Sequence, residues 1–177
     1  MEIGTKAYAY EQLVQTMEAN NMTSTELGML LNISQTYVSK WRHGAMPIRL
    51  DYIERMLKAL PNQSEFLALD LAHGISKFIP PVANGPKLYG MSLSYASRTI
   101  VELKEDVQAL VNSLDELQGP ADMINGSDDP KEAVYQTFDV VFIALNTLIM
   151  ICRDYDFDIA EMEANREKVW EKNGLIK

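Results

Sequence analysis

The sequence predicts an all-α protein built from two modules. Apolar residues recur at helical spacing through most of the chain, no stretch alternates with the period of a strand, and capping signals sit where the apolar series start and stop. Residues 8–20 read as an amphipathic helix with Leu13, Val14 and Met17 on one side. Thr23 and Glu26 have the capping-box spacing and open a short helix over 24–31, which Asn32 ends. Ser34 caps a third helix, which runs through His43 and is ended by Gly44. Pro47 marks a turn, and a fourth helix over 49–60 is stopped by Pro61. A fifth short helix follows over 63–73.

IPPVANGPKLYG then concentrates prolines and glycines and reads as a linker. The boundaries expected are 1–78 for an N-terminal domain of four to five short helices, 79–90 for the linker and 91–177 for a bundle of longer helices. Within that bundle, 92–117, 131–153 and 158–173 read as helices and 118–130 as a loop.

The 177 residues are 47% apolar and 23% charged, ordinary for a folded soluble protein. The single cysteine, Cys152, excludes an internal disulfide and a cysteine-based zinc site, and fits a reducing compartment. With His43 and His73 as the only histidines, a multi-histidine metal site is excluded too. The start of the chain, MEIGTKAYAYEQ, has no apolar segment of the secretory type. The longest apolar run, Val140 to Cys152, is interrupted by Asn146 and falls short of the roughly 20 residues that span a bilayer. A cytoplasmic protein with no membrane partner is expected.

The net charge of −9 is divided unevenly. Residues 1–60 carry six basic and six acidic side chains, whereas 61–177 carry ten and nineteen. A neutral module can approach DNA, because charges held more than about 8 Å away are largely screened at physiological salt. It has few phosphate-neutralising groups, so useful affinity calls for a dimer with two half-sites.

The N-terminal pattern is specific. Gly28 lets the next segment cross close to the helix, Asn32 supplies the turn, Ile33 and Val38 face inward, and Trp41 closes the core. The string LGMLLNISQTYVSKWRHG resembles the Cro/repressor-type (XRE) helix-turn-helix family, with similarity over about 8–60. Gly28 stands where alanine is more usual and Asn32 where glycine is. The resemblance implies double-stranded DNA as partner, with helix 34–43 in the major groove. Ser34 would then touch phosphate, while Gln35, Thr36 and Lys40 face base edges. Glutamine suits adenine and lysine suits guanine. Tyr37 and Ser39, on neighbouring exposed positions, would add phosphate or methyl contacts, and Arg42 and Arg49 charge contacts to the backbone.

In the second module, Glu102 and Glu105 lie three apart on a helix face beside Asp106. Asp139 sits among Phe138, Val140 and Val141, where a carboxylate calls for a cation or a basic partner such as Arg98 or Lys104. Carboxylates from facing helices make an oxygen-only site of the kind magnesium takes. VELKE, QTFDVVFIAL and DFDIAEMEANREKVW together resemble the MazG-like all-α nucleoside triphosphate pyrophosphohydrolases over about 91–177. That resemblance implies Mg²⁺ or Mn²⁺ on Glu102, Glu105 and Asp139, a nucleotide held by Asn165 and Lys168, and release of a nucleoside monophosphate and pyrophosphate. Val101 and Gln136 replace two of that family's acids.

The function expected is therefore a sequence-specific DNA-binding transcriptional regulator, repressor-like, whose second module dimerises or senses a nucleotide. The alternatives are a Mg²⁺-dependent pyrophosphohydrolase carrying an accessory helix-turn-helix, and a protein-binding adaptor. Helix 131–153 is apolar nearly all round, more than one small bundle can cover, so a homodimer or higher homo-oligomer is expected.

Overall fold

A computed structural model describes residues 3–88, 90–118 and 128–177. It divides into two compact units, Met1–Ala83 and Asn84–Lys177, and the division falls inside the proline- and glycine-rich segment.

The first unit contains five helices: α1 (Tyr10–Ala19), α2 (Ser24–Leu31), α3 (Gln35–Arg42), α4 (Leu50–Ala59) and α5 (Glu65–Ser76). Two residues of extended chain, β1 (Lys6–Ala7), pair antiparallel with β2 (Ile48–Arg49), Ala7 opposite Ile48. The sequence holds no sign of this pairing, because two residues are too few to show a period. Its role is to clamp the chain start between two helices. Gly4 N–H donates to the Ile75 carbonyl at 2.8 Å and Leu50 N–H to the Thr5 carbonyl at 2.9 Å. β1 runs so close to α5 that a Cβ on Gly74 would overlap the Cβ of Ala7. Helix α5 accordingly continues past His73, whose Nδ1–H donates to the Ile79 carbonyl at 2.7 Å.

One apolar core joins all five helices, with Leu13, Leu27, Val38, Trp41, Met56 and Leu67 sealed from solvent. Polar side chains tie the ends of the helices together. Asn20 Nδ2 donates to the Asn62 carbonyl at 2.8 Å, while its Oδ1 accepts from Asn62 N–H at 3.0 Å.

The second unit contains α6 (Ser92–Asn112), the short α7 (Leu114–Leu117), α8 (Asp128–Tyr155) and α9 (Ile159–Lys172). Helix α8 begins at Asp128, inside the segment expected to be a loop, and residues 119–127 of that loop lie outside those described. Helices α6 and α8 form an antiparallel hairpin, and three bonds fix its register. Ser92 N–H donates to Asp154 Oδ2 at 3.0 Å, the Thr99 and Thr147 hydroxyls meet at 2.7 Å, and Thr137 Oγ1 donates to Asp106 Oδ1 at 2.8 Å.

The seam between these helices is notably polar. It contains Glu102, Asp106, Ser113, Asn146 and Thr147 among Tyr95, Ala109, Ile143 and Ile149. Within one chain α8 leaves Val134, Tyr135, Phe138, Val141 and Leu148 exposed, so the apolar surface expected to exceed what one small bundle covers is not all buried. Helix α8 is also long and apolar enough, by length and composition alone, to cross a membrane. The broken apolar run concealed this, since mean hydropathy over a window tolerates the interruption at Asn146.

Candidate nucleic-acid interface

Local chemistry builds the α2–turn–α3 geometry. Thr23 and Glu26 close a complete capping box: Glu26 N–H donates to Thr23 Oγ1 at 3.2 Å, and Thr23 N–H donates to a Glu26 carboxylate oxygen at 2.8 Å. The Thr23 hydroxyl, which donates to the same carboxylate at 2.6 Å, together with Thr23 N–H holds the Glu26 carboxyl below its ordinary range. Asn32 adopts φ +58°, the left-handed conformation an asparagine tolerates at a helix end. The chain then doubles back so tightly that a Cβ on Gly28 would stand 2.9 Å from the Ile33 carbonyl oxygen. Ser34 opens α3 by accepting from Tyr37 N–H at 3.2 Å.

Helix α3 is fixed from behind. Val38 and Trp41 are sealed in the core, and Trp41 meets Tyr37 and Tyr52 edge-on at centroid distances of 5.2 and 5.3 Å. Its outer face presents Ser34, Gln35, Thr36 and Lys40 to solvent. Two of the expected contacts need correction. Tyr37 is half-buried, not exposed, because Tyr52 of α4 and Trp41 pack against its ring. Ser39 is half-buried as well, and the carbonyl of the same residue accepts from His43 Nδ1–H at 2.7 Å.

Arg42 already has an intramolecular partner, since its Nη1 donates to Ser24 Oγ at 3.0 Å. Its Nε is buried with no acceptor. The arginine therefore pins α3 to the start of α2 at least as much as it offers charge to a ligand. Arg49 pairs with Asp51 at 3.0 Å on an exposed edge, a weak contact that a phosphate would have to displace.

Two side chains that the sequence reading passed over complete the unit. Arg55 of α4 donates to the Leu31 carbonyl at 2.5 Å, placing a cation on the negative end of α2. Tyr52 supplies the third ring of the cluster behind α3. A half-buried tyrosine and an exposed arginine within helix 49–60 were the available signals.

The acids of the second unit do not assemble. Glu102 is only 5% exposed and pairs with Arg98, one turn earlier on its own helix. Glu105 and Asp139 are exposed, and among the described residues no three acidic, histidine or cysteine side chains converge on a metal-sized point. The residue sharing Glu102's inward face is Asp106, at i+4, whereas Glu105 at i+3 turns outward. Gln136 donates to Glu132 at 2.8 Å along α8, and Val101 is exposed. These residues do not fit a magnesium ion. Asn165 and Lys168 bond to each other at 3.5 Å on α9, a helix with no buried residue.

No curated protein and no solved structure matches the chain. A family model described as helix-turn-helix matches residues 13–67, from the first core leucine of α1 to the buried Leu67 of α5, so the N-terminal unit carries a helix-turn-helix.

Proposed function

We propose that the protein is a transcriptional regulator that binds specific double-stranded DNA through α3, with the second unit serving as its dimerisation element. The observation that carries this is the two-faced construction of α3. Val38 and Trp41 lock the helix into the core while Gln35, Thr36 and Lys40 stand free on the opposite face of a capped, exposed N-terminus. A helix held that way can enter a major groove without reorganising, and its side chains can donate and accept at base edges. The match over residues 13–67 supports the same reading.

The test is binding to DNA from the gene's own upstream region, with a random duplex as reference. Gln35→Ala or Lys40→Ala should each cost about 1–3 kcal/mol at the specific site and relax base preference there. Normal operator binding by both variants would remove α3 from the groove.

A magnesium-dependent nucleotide activity would require Glu102, Glu105 and Asp139 to turn toward a common point from the positions they hold. Pyrophosphate release from a panel of nucleoside triphosphates with Mg²⁺ or Mn²⁺ measures it directly.

A further inference from the structure

Along α6 and α7 the residues turned away from α8 recur at alternating spacings of three and four. One series is Leu93, Ile100, Val107 and Leu114; the other is Ala96, Leu103, Leu110 and Leu117. Apart from Ala96 these side chains are between 41% (Leu110) and 71% (Leu93) exposed. Ile100, Leu103 and Val107 line a shallow open groove together with Lys104. The repeat of 3.5 residues runs the whole length of the helix pair, whereas the face actually packed on α8 is the polar one carrying Glu102, Asp106 and Ser113.

We propose that this stripe pairs with the same stripe of a second copy as a parallel two-stranded coiled coil. β-Branched Ile100 and Val107 in the first series, with Leu103 and Leu110 in the second, are the combination that favours two parallel strands. The flanks permit it. In parallel register one flank of the stripe, Thr99 and Asp106, is taken up by Thr147 and Thr137 of α8, and the other presents Lys104 and Val111, so no like charges meet across the pair.

The area is that of a small interface. Fully burying a leucine- or valine-sized side chain removes about 60–120 Å² from water, and the exposed stripe residues keep between 41% and 71% of their exposure, so those of two copies bury about 450–900 Å². That approaches the roughly 1,000 Å² of a specific interface before the flanking residues add to it. The proposal deepens the dimer reading above and rests on it. Because the chain enters α6 at Ser92, parallel pairing tethers both helix-turn-helix units to one end of the coiled coil.

The experiment uses the full chain. Light scattering at tens of micromolar should give a dimer, and Leu103→Glu with Leu110→Glu should halve the mass at unchanged helical circular dichroism. In a Cys152→Ala background, Ile100→Cys alone and Leu117→Cys alone should each cross-link to itself with a short bismaleimide, whether or not the glutamate variant folds. A monomeric natural chain overturns both the dimer reading and this one. A dimer that survives both glutamates overturns the α6 stripe alone. Cross-links formed only when the two cysteine variants are mixed overturn the parallel orientation. Co-sedimentation of the natural chain with phosphatidylcholine–phosphatidylglycerol vesicles, lost in the glutamate variant, would assign the stripe to a lipid surface and overturn the second copy.

Discussion

Trp41 and Asn146 are both sealed from water, one in each unit, and their surroundings could hardly differ more. Trp41 sits among leucines, methionines and tyrosines of a core gathered from five helices, in a unit whose few buried polar side chains are Gln12, Thr16 and Ser24 among the described residues. Asn146 sits in a two-helix seam beside threonines and acids, spending its amide on the Phe142 carbonyl at 2.8 Å, while leucines and valines point outward. The N-terminal unit closes an apolar core within one chain, even with Met29 and Leu30 left exposed, whereas the second unit packs a polar seam and leaves an apolar stripe outside. Their stabilities should therefore depend on different things: the first on packing density, the second on satisfied hydrogen bonds and on whatever covers its outer face.

The largest effect expected lies in the first unit. Trp41→Ala removes the centre of the aromatic cluster and should cost about 3–5 kcal/mol, unfolding residues 1–83 without changing the oligomeric state. Loss of the dimer along with the fold would show that the units are not separable in this way.

Two smaller substitutions probe backbone proximity and the polar seam. Gly74→Ala forces a methyl against Ala7 and should cost about 1–3 kcal/mol in chemical denaturation. The Thr99 hydroxyl donates to the Tyr95 carbonyl at 3.0 Å and accepts from Thr147, so Thr99→Val alone leaves the buried Thr147 hydroxyl without that acceptor and should cost about 1–3 kcal/mol, whereas Thr99→Val with Thr147→Val should come close to neutral. A double variant as damaging as the single one would mean that the seam depends on shape, not on hydrogen bonding.

The capping box sharpens the same comparison. Thr23→Ala should cost about 0.5–2 kcal/mol, read from the midpoint of the N-terminal transition alone.

Acid should separate the units by sign. Glu26 in the first unit and Asp154 in the second are both held below their ordinary values, by hydrogen bonds from the side chain and backbone of Thr23 and of Ser92 respectively. Each therefore stabilises its unit above the ordinary value, 4.5 or 3.8, and that contribution is lost as pH falls through the lowered one. Asp70 in the first unit is pushed up by burial, so its protonation on acidification favours the fold and offsets the loss at Glu26. Amide exchange compared at neutral pH and well below pH 3.8 should show the hairpin loosening before the helix-turn-helix, and Asp154→Asn should abolish that order. Equal loosening of both units in the natural chain would contradict it.

How much was legible follows from how local each signal is. Thr23, Glu26, Asn32 and Ser34 act within four residues of themselves, and their sequence pattern was enough to place the helices around the turn. Tyr37 was misread because what covers it, Tyr52, lies on another helix. The acids of α6 were misread for a related reason. A helix with apolar residues on one stripe and acids on another declares two faces, but which one meets the neighbour is decided by that neighbour. Here Thr137 and Thr147 of α8 chose the acids' side. The short β1–β2 pairing lies below the length at which any periodicity exists.

The bond between Ser92 N–H and Asp154 has a mechanical consequence. Any pull exerted on the N-terminal unit, as when it is held on DNA, is transmitted along the chain and arrives at Ser92. There the load does not peel α6 from its first turn. Part of it passes through that bond to the C-terminal end of α8, so the first turn of α6 frays only after the carboxylate lets go.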